Sequence, residues 1–230
     1  MISVNINSVD IINENHNKRI LQNISFKLDT GNVYTILGKN GSGKSTLINT
    51  LSKLLDNSIY NIDAAIEFNG RDLLKLSYTE LLLIRKEKIK YVFQDSVNSF
   101  DALKKFDYYF KMLNVSEEEC AEVLEYFLLP RKEKLFKLYS YEVSGGMAQR
   151  ISICLAILSK PELLILDEPT SAIDINISNL LCNKLKEFVY EQRSCVLLIT
   201  QDIDFAEHVS DYVAHLINGN LSQFVKLSKI

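Results

Sequence analysis

Residues 33–45 read Val33-Tyr34-Thr35-Ile36-Leu37-Gly38-Lys39-Asn40-Gly41-Ser42-Gly43-Lys44-Ser45. An apolar run of buried-strand type leads straight into a loop of the form G-x-x-x-x-G-K-S. The following stretch, Ser45–Leu55, carries Leu47, Ile48, Leu51, Leu54 and Leu55 at helical spacing. Strand, glycine loop, helix is the order a phosphate-binding loop requires. Glycines let backbone N–H groups wrap an anion closely, and the helix that starts there turns its positive dipole end to the same point. In such a loop Lys44 reaches the β- and γ-phosphates of a nucleotide, and the Ser45 hydroxyl ligates Mg²⁺. The candidate ATP-binding run is Gly38, Lys39, Asn40, Gly41, Ser42, Gly43, Lys44, Ser45 and Thr46.

A second signal lies 120 residues further on. Leu163-Leu164-Ile165-Leu166 is an apolar strand that ends in Asp167-Glu168. In a parallel sheet, ligands gather at the carboxyl ends of the strands. Asp167 is then placed to hold Mg²⁺ through its water shell, and Glu168 to orient and deprotonate an attacking water. Alone, Asp-Glu before Pro169 reads equally well as a solvated turn; the phosphate loop decides between the two. A third stretch, Val143-Ser144-Gly145-Gly146-Met147-Ala148-Gln149-Arg150, is another glycine-containing loop that opens a helix. It suits phosphate by the same physics, and a plain N-cap by Ser144 stands beside that reading. Two phosphate-type loops far apart in one chain make sense if the second serves a neighbour's nucleotide.

Elsewhere the chain alternates strands and helices. Ser3–Ile12, Leu21–Leu28, Ile66–Phe68, Ile89–Phe93 and Cys195–Thr200 read as strands. Thr79–Lys88, Gly145–Leu158, Ile177–Gln192 and Asp204–Val209 read as helices. Asn69-Gly70 and Asn218-Gly219 are turn signals. From about residue 100 to 141 charged and apolar residues mix at helical spacing, as in Glu117–Leu129, and no strand is evident. That region reads as an inserted helical lobe. The alternation argues for an α/β fold with a mainly parallel core sheet.

Composition narrows the function classes. A net charge of −3, from 26 basic and 29 acidic residues, gives no electrostatic case for nucleic acid. No stretch approaches the roughly 20 apolar residues of a membrane span, and Met1–Asp10 lacks the regions of a signal peptide. The expectation is a cytoplasmic protein that reaches a membrane only through a partner. Cys120, Cys154, Cys182 and Cys195 show neither C-x-x-C pairing nor a nearby His at ligand spacing, so they read as thiols in a reducing compartment. His16, His208 and His215 are scattered.

Taken in order, the phosphate loop, Gln94 after Tyr91-Val92-Phe93, the Ser144-Gly145-Gly146 loop, Leu163–Glu168, Ser171-Ala172-Ile173-Asp174 and Leu198-Ile199-Thr200-Gln201-Asp202 resemble the motifs of ABC transporter ATPases. The resemblance covers nearly the whole chain. It implies an α/β P-loop NTPase core with an N-terminal antiparallel β subdomain and an inserted α-helical subdomain. The core would take about 1–71 and 161–230 and the helical part about 72–160, in one ABC ATPase domain. It also implies a head-to-tail dimer in which each ATP lies between one chain's phosphate loop and the other's signature loop. By this resemblance Gln94 contacts Mg²⁺ and water and senses the membrane domain. Ser144, Gly145, Gly146 and Met147 act on the partner's nucleotide, and Asp174 is the D-loop acid linking the two sites. The implied metal set is Ser45, Gln94 and Asp167, and the implied catalytic set Glu168, Gln201 and Lys44. The implied partners are transmembrane permease subunits, whose coupling helix would dock on the helical lobe, and a second ABC ATPase chain, the same or different. Asn69–Leu74, Ile84-Arg85, Phe93–Asp95 and Ser144–Arg150 look like the oligopeptide, dipeptide and nickel importer branch, which usually carries a C-terminal extension beyond this length.

Two departures stand out. The family's switch histidine is Gln201 here; a glutamine donates a hydrogen bond to phosphate but carries no proton or positive charge. The aromatic residue that usually stacks on adenine is replaced near its place by Ile11 or Ile12, with His16 as a nearby substitute. The expected function is the ATP-driven motor of a membrane transporter, one whose own site is the weaker of a heteromeric pair. A regulatory ATP-binding subunit with weak hydrolysis and a soluble non-transport ABC ATPase are the alternatives.

Overall fold

The computed structural model describes residues 1–12 and 17–227. The strands are β1 (Ile2–Ile11), β2 (Lys18–Leu28), β3 (Asn32–Leu37), β4 (Tyr60–Phe68), β5 (Arg71–Asp72), β6 (Ile89–Val92), β7 (Leu163–Asp167), β8 (Cys195–Thr200), β9 (Tyr212–Ile217), β10 (Asn220–Leu221) and β11 (Val225–Lys226). The helices are α1 (Lys44–Leu51), α2 (Tyr78–Glu87), α3 (Phe106–Lys111), α4 (Glu117–Tyr126), α5 (Lys132–Leu135), α6 (Gly145–Leu158), α7 (Ile175–Gln192) and α8 (Ile203–Val209).

Two sheets form. One is antiparallel, in the order β2-β1-β4-β5. The other runs β10-β9-β3-β8-β7-β6, and its five central strands, from β9 to β6, are parallel. The parallel strands are apolar at nearly every position because both of their faces are covered, and their twofold side-chain alternation divides them between two cores. Val33, Val92, Leu164, Leu166, Val196 and Leu198 point to one side, where α6, α7, α8 and the helical insertion pack. Tyr34, Ile36, Ile89, Leu163, Ile165, Leu197 and Ile199 point to the other, against α1, α2 and the antiparallel sheet. Each fully buried aliphatic chain contributes about 1.5–3 kcal/mol, so the sheet is held from both sides. The carboxyl ends of β3, β7 and β8 lie side by side, with Leu37 opposite Thr200 and Asp167 opposite Ile199.

The α/β class and parallel core agree with the sequence reading. Some bounds move. The expected helix to Leu55 stops at Leu51, where the i→i−4 ladder ends: the Lys53 amide donates to the Thr50 carbonyl and the Leu54 amide to the Asn49 carbonyl. The Arg85 guanidinium then takes the Ser52 carbonyl, and Lys53 turns to φ 49°. β4 starts at Tyr60, not Ile66, because β1 supplies a partner for its polar first half. α2 begins one residue early under a Ser77–Glu80 capping box. Asn69-Gly70 and Asn218-Gly219 are both hairpin turns with positive φ. β11, pairing with β9, went unread. No described helix is long and apolar enough to cross a membrane.

Candidate functional site

The phosphate loop joins β3 to α1. Its first residue is fixed to the neighbouring strand end, as the Gly38 N–H donates to the Thr200 carbonyl at 3.1 Å. Gly43 caps α1 at φ 107°, a conformation side chains rarely adopt, and an added Cβ there would meet Leu21 Cδ2 at 2.8 Å. No side chain caps this helix. Its first-turn N–H groups, on Lys44, Ser45 and Thr46, have no intrahelical acceptor and suit an anion. The buried Ser42 hydroxyl also has no partner. These features fit a bound phosphate group.

Lys44 is buried and turned back over the loop. Its ammonium donates to the Gly38 carbonyl at 2.8 Å and stands 3.2 Å from Glu168 Oε1. Glu168 follows β7 at φ 45°, a left-handed conformation that costs a non-glycine residue about 1–3 kcal/mol and tends to gather at functional sites. Its amide donates to the Ile199 carbonyl, while Oε2 accepts from the Thr200 hydroxyl at 2.7 Å and from the Gln201 amide at 3.1 Å. One carboxylate oxygen therefore faces the lysine and the other is held by two donors.

Asp167 ends β7. Burial, and next the charge of Glu168, push its carboxyl up to about 6, against the opposing pull of Lys44. An acid that desolvated favours a cation beside it. Asp167 lines one cleft with Ser45, Gln94, Asn49, Asp95 and Ser171. The three residues expected to serve the metal, Ser45, Gln94 and Asp167, thus share one cavity, and its hydroxyl, amide and carboxylate oxygens suit a hard cation such as Mg²⁺. A second groove runs along Gly38–Ser42 and is bordered by Gln201, Ile203 and residues 215–218 of the β9 end.

Other expected residues stand apart. Ser144–Met147 line neither cavity. Ser144 caps α6, its hydroxyl accepting from the Met147 amide at 3.2 Å, so the plain cap reading holds locally. Gly146 lies against the loop after β7: a Cβ there would meet the Ala172 carbonyl oxygen at 2.5 Å. Asp174 is the N-cap of α7 and accepts from the amides of Asn176 and Ile177. Near the expected adenine contact, Ile11 ends β1 and Ile12 is exposed; His16 lies outside the described residues.

Five polar residues, Thr200, Asp202, Thr170, Ser96 and Gln149, were given no role by the sequence reading. Thr200 is fully buried between Glu168 and the Asp202 amide. Asp202 caps α8 and accepts from the Thr170 hydroxyl at 3.0 Å. Ser96 donates to the Oε1 of buried Gln149 at 2.6 Å, tying the segment after Gln94 to α6. Thr200, Asp202 and Gln149 stood inside the motif stretches read from the sequence but were given no role there; Asp202 also carried a signal as an N-cap residue at the start of a helix.

The family pattern described as ABC transporter matches residues 21–171. The chain is 32% identical over 215 residues to the oligopeptide transport ATP-binding protein OppD of Salmonella typhimurium, covering 90% of this chain and 64% of that one. It is 32% identical over 211 residues to OppD of Bacillus subtilis, covering 87% and 59%. It spans 59–64% of the length of these curated relatives. In fold it resembles the dimeric, post-hydrolysis ATP-binding cassette MJ0796 bound to ADP and phosphate, with a TM-score of 0.85 and 23% identity over the whole of both chains.

Proposed function

The chain belongs to the ABC transporter family, and from that membership we propose that it binds Mg-ATP at Gly38–Thr46, hydrolyses it, and drives a membrane transporter through partner subunits. The observation that carries this reading is the meeting of Lys44 and Glu168, 3.2 Å apart, each next in the chain to a residue, Ser45 or Asp167, that lines one cleft with Gln94.

In this reading the loop amides and Lys44 bind the phosphates, and Ser45, Gln94 and Asp167 hold the metal. Mg²⁺, when bound, neutralises charge on the phosphate oxygens. Glu168 accepts a proton from water as the water oxygen bonds to the γ-phosphorus, and the bond from that phosphorus to the bridging oxygen breaks, giving ADP and phosphate. Lys44 stabilises the negative charge that shifts onto the β-phosphate side. Gln201 offers a neutral donor to the γ-phosphate where an imidazole would offer a charged one. Ser144, Gly145, Gly146 and Met147 act on the nucleotide of a second ATPase chain, and Asp174 links the two sites.

The partners in this proposal are transmembrane permease subunits docked on the helical part of about residues 72–160, between core segments of about 1–71 and 161–230; within that span β6 (Ile89–Val92) returns to the core sheet beside β7, so the helical part is narrower than the sequence reading drew it. The protein then sits peripherally on the cytoplasmic face of the membrane. Similarity to OppD favours peptide cargo. One observation favours a second reading, a regulatory half-site in a heteromeric pair: Gln201 borders the phosphate groove in place of a titratable ring. Co-purification tests the assembly. Recovery of the tagged chain with membrane-spanning subunits, and ATP turnover that rises in their company, is the expected result. A chain that binds ATP but stays free of any membrane subunit would overturn the transport reading.

A further inference from the structure

Glu168 sits on a strained turn, and nothing in its own backbone fixes its carboxylate. The fixing groups come from the next strand. The Thr200 side chain is fully buried at the end of β8, and its oxygen already accepts the Asp202 amide at 3.0 Å. Its single proton is therefore free to point at Glu168 Oε2, 2.7 Å away. The second donor to that oxygen is the main-chain N–H of Gln201, not its side chain.

The Asp202 end of this relay is itself anchored. One Asp202 oxygen takes the Phe205 amide as the cap of α8, and the other takes the Thr170 hydroxyl, two residues beyond Glu168. The loop carrying the carboxylate and the strand end carrying its donor are thus locked together at two points. Oε2 is held, and Oε1 is left to face Lys44 and the phosphate loop. The partial hydrogen bonding of a carboxylate by a buried hydroxyl sets its orientation more than its charge, since a held base avoids reorganisation at the moment of proton transfer.

We propose that Thr200 is a positioning residue for hydrolysis: its hydroxyl orients the Glu168 carboxylate so that Oε1 presents its lone pair to water, and it does so independently of the side chain at position 201. This rests on the reading of Glu168 as the base. Two substitutions separate this role from mere filling of space. A valine fills the same space without the donor, and a serine keeps the donor without the methyl.

The test compares wild type, Thr200→Val and Thr200→Ser in the assembled protein for kcat, KM for Mg-ATP, and thermal midpoint. The expected result is a kcat at least tenfold lower in Thr200→Val, an unchanged KM and a midpoint within a few degrees of wild type, with Thr200→Ser recovering most of the rate. The same tenfold loss should appear when Gln201→His is the background. Wild-type kcat in Thr200→Val would overturn the proposal. So would a loss that serine fails to recover or that travels with KM and midpoint, since those mark a packing role. Absence of turnover in wild type would instead strike the reading of Glu168 as the base, and this inference with it; the wild-type lane distinguishes the two failures.

Discussion

Lys44 Nζ lies 3.2 Å from Glu168 Oε1, and both side chains are buried beside the carboxyl end of β8, which separates β3 from β7 in the sheet. A buried pair of this kind stabilises little in net terms, because desolvation offsets most of the attraction, but breaking it from one side leaves a buried charge alone. Lys44→Ala should therefore lower stability by about 3 kcal/mol at pH 7 as well as abolish ATP binding. Adding Glu168→Gln should recover most of the stability and none of the binding. Chemical denaturation of the two variants, with nucleotide binding beside it, checks this. Equal stability of the single and double variants would show the pair to be uncoupled.

Asp167 gives a pH prediction. Its carboxyl is raised from 3.8 to about 6 in the folded protein. Because the folded value is the higher one, its contribution to stability is complete below about pH 4 and is lost as pH rises through 6. The difference amounts to about 3 kcal/mol. In EDTA and without nucleotide, Asp167→Asn should match wild type near pH 4 and be the more stable protein near pH 8. The same variant should lose the Mg²⁺ dependence of ATP binding. Thermal midpoints across that range decide it; a variant less stable at pH 8 contradicts the account.

The two glycine loops should fail differently. Gly43→Ala places a Cβ at 2.8 Å from Leu21 and forces a left-handed φ on alanine, so ATP binding should fall at least tenfold with a stability loss of about 1–2 kcal/mol. Gly146→Ala presses on the Ala172 carbonyl, away from the phosphate loop. It should leave ATP binding to the chain nearly unchanged and abolish hydrolysis. Isothermal titration with a parallel turnover assay checks both. Equal loss of binding in the two variants would contradict the division of labour.

Gln201 is held to Glu168 by its amide, so its side chain is free to change without disturbing that contact. Gln201→His should raise turnover several-fold with little change in ATP affinity. A steady-state comparison reads it, and an unaltered rate would mean that the glutamine already does what an imidazole would.

Much of this site was legible because it is built from backbone. A phosphate loop needs glycines, one lysine and one hydroxyl at fixed spacing, and residues 38–45 state it directly. Leu163–Glu168 was legible for a similar reason: a strand buried on both faces reads as an unbroken apolar run, and the acids at its end stand out. What escaped were contacts set by tertiary structure. Thr200 reads as one more strand residue until β8 is placed beside β7. Asp174 was read for its place in a motif, and its carboxylate turns out to cap α7. The end of α1 was misplaced because helical spacing continues to Leu55, while Arg85, 33 residues away from Ser52, takes the carbonyl that ends it.

The measurement that bears most directly on the central claim is ATP hydrolysis by the assembled protein, wild type beside Glu168→Gln, with Mg-ATP binding measured on both. The account predicts turnover in wild type, its loss by at least a hundredfold in the variant, and equal binding in the two. Turnover that survives Glu168→Gln would contradict it, because the proton would then be leaving water by a route that does not pass through Glu168.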